Sequence, residues 1–186
     1  MGSVYHTELQ TDQTTITALS RAIYNCYGGK TKRTIVLISL LLAAAGFFLG
    51  IQKTAGIILI ALACLLLSQI PYPAMYRARQ VIQALGGRYP FLEYTFYADH
   101  FEMRIKDETQ SYGYDGIRML YREKGYLYLF PNENEAFMLD PKALDPEEPE
   151  RFQEQLSEWT GLKWEAYRPL LFQRMPTMFR SRIGTR

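Results

Sequence analysis

Side chains able to perform catalysis or bind metal are few in this sequence and are not grouped. The two histidines, His6 and His100, stand alone, and the two cysteines, Cys26 and Cys64, lack the spacing of zinc ligands. An acidic run begins at Asp145, but acidic residues at the start of a helix are explained by the helix dipole. We therefore predict no catalytic residue, no cofactor and no metal site, and we do not expect an enzyme.

Charge is unevenly distributed along the 186 residues, although the net charge is only +2. Residues 92–162 carry sixteen acidic and seven basic side chains, and basic residues predominate on both sides of this segment. A nucleic-acid surface requires basic residues clustered on the folded domain. We therefore expect no nucleic-acid partner.

Two uncharged apolar runs predict a transmembrane helical hairpin over residues 34–71. The runs cover residues 35–51 and 54–70, each near the lower length limit for spanning a bilayer. Only Gln52 and Lys53 separate them, which makes the two helices antiparallel neighbours. A second run directly after the first argues against a secretory signal peptide. A re-entrant hairpin and a buried hairpin of a soluble protein are the alternatives.

Small residues inside the apolar runs predict close packing between the two helices. Small side chains let helix backbones approach each other where lipid removes the hydrophobic contrast. The residues expected at this contact are Gly46 and Gly50, which have GxxxG spacing, and Ala55 and Gly56 in the second run. The same face could instead join two copies of the chain.

Basic and tyrosine side chains flank the hairpin and predict its orientation. Each flank carries more basic residues than the loop, which has only Lys53, so both termini are expected in the cytoplasm. The protein is then a cell-membrane protein with two spans, and membrane lipids are its expected surroundings. The residues expected in the headgroup layer are Lys30, Lys32, Arg33, Tyr72, Tyr76, Arg77 and Arg79.

The cytoplasmic segment before the hairpin, residues 1–33, is predicted to hold a strand and a helix. Apolar and polar residues alternate over 5–10, which is a strand pattern. Asp12 or Thr14 is expected to cap a helix that ends near Tyr27. An amphipathic helix lying on the membrane surface is the alternative for this segment.

The segment after the hairpin, residues 72–90, is predicted to be a juxtamembrane linker helix. Gly86 and Gly87 follow it and are expected to end it. The apolar side of this helix is expected to consist of Met75, Ala78, Ile82 and Leu85.

From Phe91 the hydrophobic period changes to two, which predicts a small antiparallel β-domain over residues 91–162. Short strands separated by turns indicate a meander. Asp145 and Pro146 are expected to begin a helix that covers the sheet, with Phe152, Leu156 and Trp159 as its buried stripe. A domain of about 70 residues is only marginally stable, so we expect it to use the N-terminal strand and helix, or a second copy, to complete its core.

The last segment, residues 163–186, combines six basic residues with aromatic ones. Such a segment is attracted to an anionic leaflet. A disordered, solvated tail is the alternative.

Several segments of this sequence resemble the YcxB-like family of bacterial membrane proteins. The segments are FYADHFEMRI, YGYDGIRMLY, GYLYLF and EAFMLDPKAL, which include Asp99, Tyr114–Ile117, Tyr126–Phe130 and Pro141-Lys142. The resemblance covers the hairpin and residues 91–162, and it implies a C-terminal domain related to pleckstrin-homology-like folds. It implies no activity. The expected fold class is an α+β membrane protein: a two-helix transmembrane hairpin and a cytoplasmic antiparallel β-domain covered by a C-terminal helix.

An anchored β-domain without reactive groups favours a membrane-anchored interaction module. Its ligand would be a protein segment, which adds to a sheet edge, or a lipid headgroup. The alternative is a small accessory or regulatory subunit of a larger membrane complex such as a transporter, because small residues line the spans. A homo-oligomer is compatible with both hypotheses, and we identify no small-molecule substrate.

Overall fold

The computed structural model describes residues 5–166, and over this range the chain is an α+β protein with five α-helices and two sheets. The helices are α1 (Gln13–Tyr27), α2 (Gly29–Leu49), α3 (Thr54–Ser68), α4 (Tyr72–Leu85) and α5 (Pro149–Thr160). The strands are β1 (Tyr5–Gln10), β2 (Phe91–Phe96), β3 (His100–Ile105), β4 (Glu108–Gly113), β5 (Met119–Glu123), β6 (Tyr126–Phe130), β7 (Phe137–Leu139), β8 (Leu144–Asp145) and β9 (Trp164–Ala166).

The N-terminal strand lies inside the first sheet, which has the order β4-β3-β2-β1-β8. β1 pairs antiparallel with β2 along its whole length, and its other edge pairs with β8. The buried Thr7 hydroxyl donates a hydrogen bond of 2.9 Å to the carbonyl oxygen of Asp140. The strands that follow the hairpin therefore share a sheet with the strand that precedes it, a point that the sequence left open.

The second sheet has the order β7-β6-β5-β9. β5 and β6 are joined by a two-residue turn in which Lys124 and Gly125 have positive φ angles of 51° and 84°, as a type I′ hairpin turn requires. The single meander expected from the sequence is therefore wrong. After β4, a 3₁₀ turn at Tyr114–Gly116 leads the chain out of the first sheet and into β5.

The C-terminal tail was expected to begin at residue 163, but residues 164–166 form a strand, β9, of the second sheet. Trp164–Ala166 pairs parallel with β5, and the Trp164 indole N–H donates to the carbonyl oxygen of Gln153 at 2.8 Å. These three residues belong to the folded domain because β5 offers them a free edge. The remainder of the tail, residues 167–186, lies outside the described residues.

The C-terminal helix begins later than its sequence suggests. Asp145 does not cap it, because the Asp145 backbone pairs with His6 in the first sheet, and Pro149 takes the first helical turn instead. Of the expected stripe, Phe152 and Leu156 are buried and Trp159 is half-buried; the Phe152 ring lies edge-on to Tyr5 and Phe96, with ring centroids 5.0 and 4.9 Å away. The helix therefore covers the first sheet at β1 and β2.

Helix α1 packs on the β-domain. The Asp12 carboxylate accepts a hydrogen bond from the Thr15 backbone N–H at 2.6 Å, and the Thr15 hydroxyl accepts one from the Asp12 N–H. Ala22 and Ile23 are buried in the same hydrophobic core as the strands. Residues before the hairpin therefore complete the core of the domain that follows it, and the helix does not form a separate surface element.

Helices α2 and α3 form an antiparallel hairpin with an apolar outer surface. Thr31–Leu49 is long and apolar enough to cross a membrane, and only 17% of this window is buried within the chain, unlike the core helix of a soluble protein. Thr54–Ser68 passes the same test only together with Tyr72–Leu85, across a bend of 43°. By length and composition, one or two such segments could span a membrane.

The contact between α2 and α3 is formed by small side chains. Gly46 and Gly56 are buried against each other, and the buried Ser39 and Ala63 lie seven residues from them on their helices. Gly50 ends α2 with a φ of 92° and so does not lie within a helical GxxxG face, but it belongs to the same contact, since a Cβ atom at Gly56 would come within 2.5 Å of the Gly50 carbonyl oxygen. Ala55 is exposed instead of buried.

Helix α4 packs on α1 through its smallest residues. Ala74 and Ala78 are buried, whereas Met75, expected on the apolar side, is exposed. Small side chains at this contact let α4 lie close to α1.

Candidate functional site

A hydrogen-bonded chain of side chains connects the start of α2 to the second sheet. The Lys32 ammonium donates to the Asn25 amide oxygen at 2.9 Å. The Asn25 amide nitrogen in turn donates to both carboxylate oxygens of Glu123, at 3.1 Å each. The Tyr121 hydroxyl donates to the same carboxylate at 3.1 Å. These hydrogen bonds fix the first turn of α2 relative to α1 and to the β5–β6 hairpin.

Lys32 lies over an aromatic ring at the joint between α1 and α2. Its ammonium nitrogen is 4.3 Å from the centroid of the Tyr24 ring, a cation–π distance. Gly28 makes room for this ring, since a Cβ atom at position 28 would come within 2.6 Å of two Tyr24 ring carbons. The glycine between the two helices therefore has a packing role.

These residues border a cleft of about 830 Å³ between the domain and the helices. α1 contributes Arg21, Tyr24 and Asn25, and the β5–β6 hairpin contributes the segment 122–127. The junction of α3 and α4, at the end of the helical hairpin, contributes Ile70, Pro71 and Ala74. A second cleft of about 530 Å³ shares Arg21, Glu123, Lys124 and Tyr126 with the first. The larger cleft, called the basic cleft below, thus lies where the domain meets the hairpin.

The basic cleft is named for its charge. Four basic side chains and one acidic side chain line it, which gives a net charge of +3, and they are Arg21, Lys32, Arg122, Lys124 and Glu123. Within residues 5–166, no carboxylate lies within 4.0 Å of any of the four basic groups. By contrast, Arg104 and Arg151 have carboxylate partners, Glu93 and Glu148.

The hydroxyl and thiol groups near the basic cleft are held in their protonated forms. Burial raises the pKa of the Cys26 thiol to about 12, and the nearby Glu123 and Glu165 carboxylates add to this effect. Burial also raises the pKa of the Tyr24 hydroxyl, which is buried and has no hydrogen-bond partner among the described residues. At neutral pH, the lining therefore offers four positive charges, the Glu123 carboxylate and the neutral Tyr24 hydroxyl.

The other candidates for chemistry are dispersed. His6 lies in β1, and His100 opens β3 with its ring 2.8 Å from the Asp99 carboxylate and stacked on Tyr97. Cys64 is exposed on α3. Across the described part of the chain, no three His, Cys, Asp or Glu side chains are grouped so that they could hold a metal ion.

The residues expected in the headgroup layer have different surroundings. Lys32 is buried against α1 and lines the basic cleft. Arg77 is half-buried and donates to the carbonyl oxygen of Asn134 at 2.6 Å. The Lys30 side chain lies outside the described residues. The exposed members of the set are Arg33, Arg79, Tyr72 and Tyr76, and the two tyrosine rings stack with centroids 6.1 Å apart.

Sequence reasoning missed Arg21, Asn25, Arg122 and Lys124 as members of one site. One local signal was present, since Asn25 and Lys32 are seven residues apart and thus lie on the same side of a nearly continuous helix. This face packs against the β5–β6 hairpin, about 100 residues away in the sequence. No pattern in the neighbouring residues indicates that contact.

The comparisons with known proteins bear on the β-domain. No curated protein matches the chain, and no solved structure does. Residues 96–156, from the end of β2 into α5, match the family model described as YcxB-like protein. This range contains the β5–β6 side of the basic cleft and excludes Arg21 and Lys32. The chain therefore carries a YcxB-like domain at residues 96–156, within the range 91–162 of the predicted resemblance, and the match does not include the hairpin.

Proposed function

We propose that this protein is a membrane-anchored interaction module. α2 and α3 cross the bilayer, and the β-domain lies against its cytoplasmic face and binds a ligand there. The observation that carries this proposal is the rigid connection between the two parts. Residues of α1 are buried in the domain core, and only Gly28 separates α1 from α2. The hydrogen bonds from Lys32 to Asn25 and from Asn25 to Glu123 hold the two helices and the β5–β6 hairpin together.

The proposed orientation places both termini in the cytoplasm. Arg33, at the start of α2, and Arg79, on α4, are exposed where the hairpin meets the domain, while Lys53 is the one basic residue of the loop. The exposed Tyr72 and Tyr76 then lie in the headgroup layer, where amphipathic rings are favoured.

The ligand site follows from the same geometry. The basic cleft is the largest concave surface described above, and it opens beside the α3–α4 junction. A ligand bound there contacts the domain and the membrane-proximal helices at once, which makes the anchor part of the binding site.

The experiment is in-cell photo-crosslinking from three positions in the full chain. Tyr126 lines the basic cleft, Gln110 lies on the exposed edge strand β4, and Phe48 on α2 is 93% exposed. Each is replaced in turn by benzoylphenylalanine, and the adducts are identified by mass spectrometry after extraction of the membrane with alkaline carbonate.

We expect a chain that resists extraction and a specific adduct at position 126. Release of the chain by carbonate would reject membrane anchoring. An adduct at 110 but not at 126 would move the ligand to the sheet edge. A protein adduct at 48 alone would favour the accessory-subunit alternative, in which the outer face of the hairpin is the interface.

A further inference from the structure

We propose that the basic cleft binds the phosphate group of an anionic phospholipid from the leaflet that surrounds the hairpin. This inference rests on the proposed function, since it identifies the ligand of the same site. It is carried by Lys32, a buried cation without a carboxylate partner, together with three further cations that converge on the same space.

Lys32 is 7% exposed and is the one charged side chain that is buried in the described range. Lysine is rarely buried unless it is paired, because removing an ammonium group from water is costly. Its ammonium group has three N–H donors, and the described residues use one of them, in the bond to Asn25. Glu123 acts on Lys32 only through the Asn25 bridge and at longer range, so an anion in the cleft would supply a direct counter-charge.

Arg21, Arg122 and Lys124 extend the positive charge across the cleft. Their side chains make no ion pair with the described residues, so they are free to contact a ligand. Arginine binds phosphate oxygens in a fork and lysine binds them as a point charge. The Glu123 carboxylate cancels only one of the four positive charges, and it is held by hydrogen bonds from Asn25 and Tyr121.

The apolar part of the lining points to a lipid as the source of the phosphate. Ile70, Pro71 and Ala74 lie at the membrane-proximal end of the hairpin, and Leu127 lies beside the basic groups. A lipid can place its phosphate among the cations while its glycerol and upper acyl carbons contact this apolar edge. Basic residues near an anionic leaflet are stabilised by its surface potential, so charge and position agree.

The test measures lipid retention by the full chain in nonionic detergent, using native mass spectrometry. The probes are dioctanoyl phosphatidylglycerol, dioctanoyl phosphatidylcholine and glycerol 3-phosphate. The principal variant is the double substitution Arg122→Gln/Lys124→Gln. The matched control is Lys106→Gln/Arg118→Gln, which likewise removes an exposed arginine and a turn lysine with positive φ, here 56°.

Two further variants complete the design. Lys32→Met removes the buried cation, and thermal unfolding checks that it folds. A tail variant replaces the arginines outside the described residues, at positions 168, 174, 180, 182 and 186, by glutamine.

We expect the wild-type chain to retain phosphatidylglycerol in preference to phosphatidylcholine. Arg122→Gln/Lys124→Gln should weaken retention by about tenfold or more, since each charged hydrogen bond contributes about that factor, and the control should not. Equal retention of both lipids, or equal loss in the control, would overturn the proposal. Competition by glycerol 3-phosphate as strong as by the lipid would replace the lipid with a soluble phosphate. Loss of phosphatidylglycerol retention only in the tail variant would show that the cleft does not bind the lipid.

Failure of this inference differs from failure of the proposed function. A chain that stays in carbonate-washed membranes but retains no anionic lipid would disprove the lipid ligand alone. A chain that carbonate releases would disprove the anchor.

Discussion

Gly46 of α2 lies directly against Gly56 of α3. A Cβ atom at Gly46 would come within 2.9 Å of the Gly56 carbonyl oxygen, and one at Gly56 would come within 2.8 Å of the Gly46 carbonyl oxygen. Because these contacts are with backbone atoms, neither neighbour can rotate away. The two helices touch at their main chains, as close-packed membrane helices do.

The first prediction concerns this contact. Gly56→Leu should separate α2 from α3 and lower the free energy of unfolding in detergent by about 1–3 kcal/mol, the usual cost of overpacking. The control is Ala55→Leu at the neighbouring, exposed position. Urea titration followed by protease resistance of the hairpin would measure both variants. Equal destabilisation by the two would show that position 56 has no special packing role.

The second prediction concerns Asn25 and Glu123, which join α1 to the second sheet. A double-mutant cycle of Asn25→Ala and Glu123→Ala should give a coupling energy on the order of 1–2 kcal/mol, because the half-buried carboxylate accepts two bonds from one amide.

The control for this cycle is a second amide–carboxylate pair in the same domain. Asn132 donates to Glu135 at 2.8 Å on the exposed β6–β7 loop, where water competes for both groups. The coupling there should be below about 0.5 kcal/mol. A coupling for Asn25–Glu123 no larger than that of the loop pair would mean that the joint is not held by this bond.

Local signals in the sequence predicted the local structure well. The Asp12 cap and the Phe152 and Leu156 positions of the stripe of α5 depend on neighbouring residues only. The start of α5 was wrong because Asp145-Pro146 and Glu148-Pro149 are both an acidic residue followed by proline. Pairing between Asp145 and His6, 139 residues apart in the chain, decides between them, and no local pattern contains that information.

The candidate site was the least predictable part for the same reason. Lys32 follows the pattern of a membrane-flanking lysine, and Arg122 and Lys124 follow that of a solvated hairpin turn. Only the packing of α1 on the β5–β6 hairpin brings these charges to one cleft. The β9 strand was missed because a three-residue strand has too few residues to show a period.

The third prediction concerns Cys26 at alkaline pH. Burial holds the pKa of its thiol at about 12 in the folded chain, above the ordinary value of 9.0, so the folded state binds this proton more tightly than the unfolded state does. The contribution to stability is therefore fully present below about pH 9 and is lost as pH rises towards 12.

Cys26→Ala should accordingly make the alkaline decline of unfolding free energy shallower, although buried tyrosines still contribute to it. Cys64→Ala, at an exposed position of α3, should leave the decline unchanged. Chemical denaturation at pH 8, 9 and 10 would measure this difference. Alkylation of Cys26 at pH 8 should also be slow, since the thiolate is the reactive form. Rapid alkylation of Cys26 in the folded Cys64→Ala variant would contradict the raised pKa.

The last prediction concerns Tyr5, which ties the N-terminal strand to the C-terminal helix. Its ring is 3% exposed and lies 5.0 Å from the Phe152 ring and 6.5 Å from that of Trp159. Tyr5→Ala should lower the free energy of unfolding by about 3–5 kcal/mol, as loss of a buried aromatic ring does. Tyr5→Phe keeps the ring and should cost less than about 1.5 kcal/mol. Limited proteolysis of the full chain should then cut Tyr5→Ala within residues 91–166, far from the substitution, because β2 and α5 lose the same neighbour. Cleavage confined to the first twelve residues would mean that β1 can detach while the remaining strands stay folded.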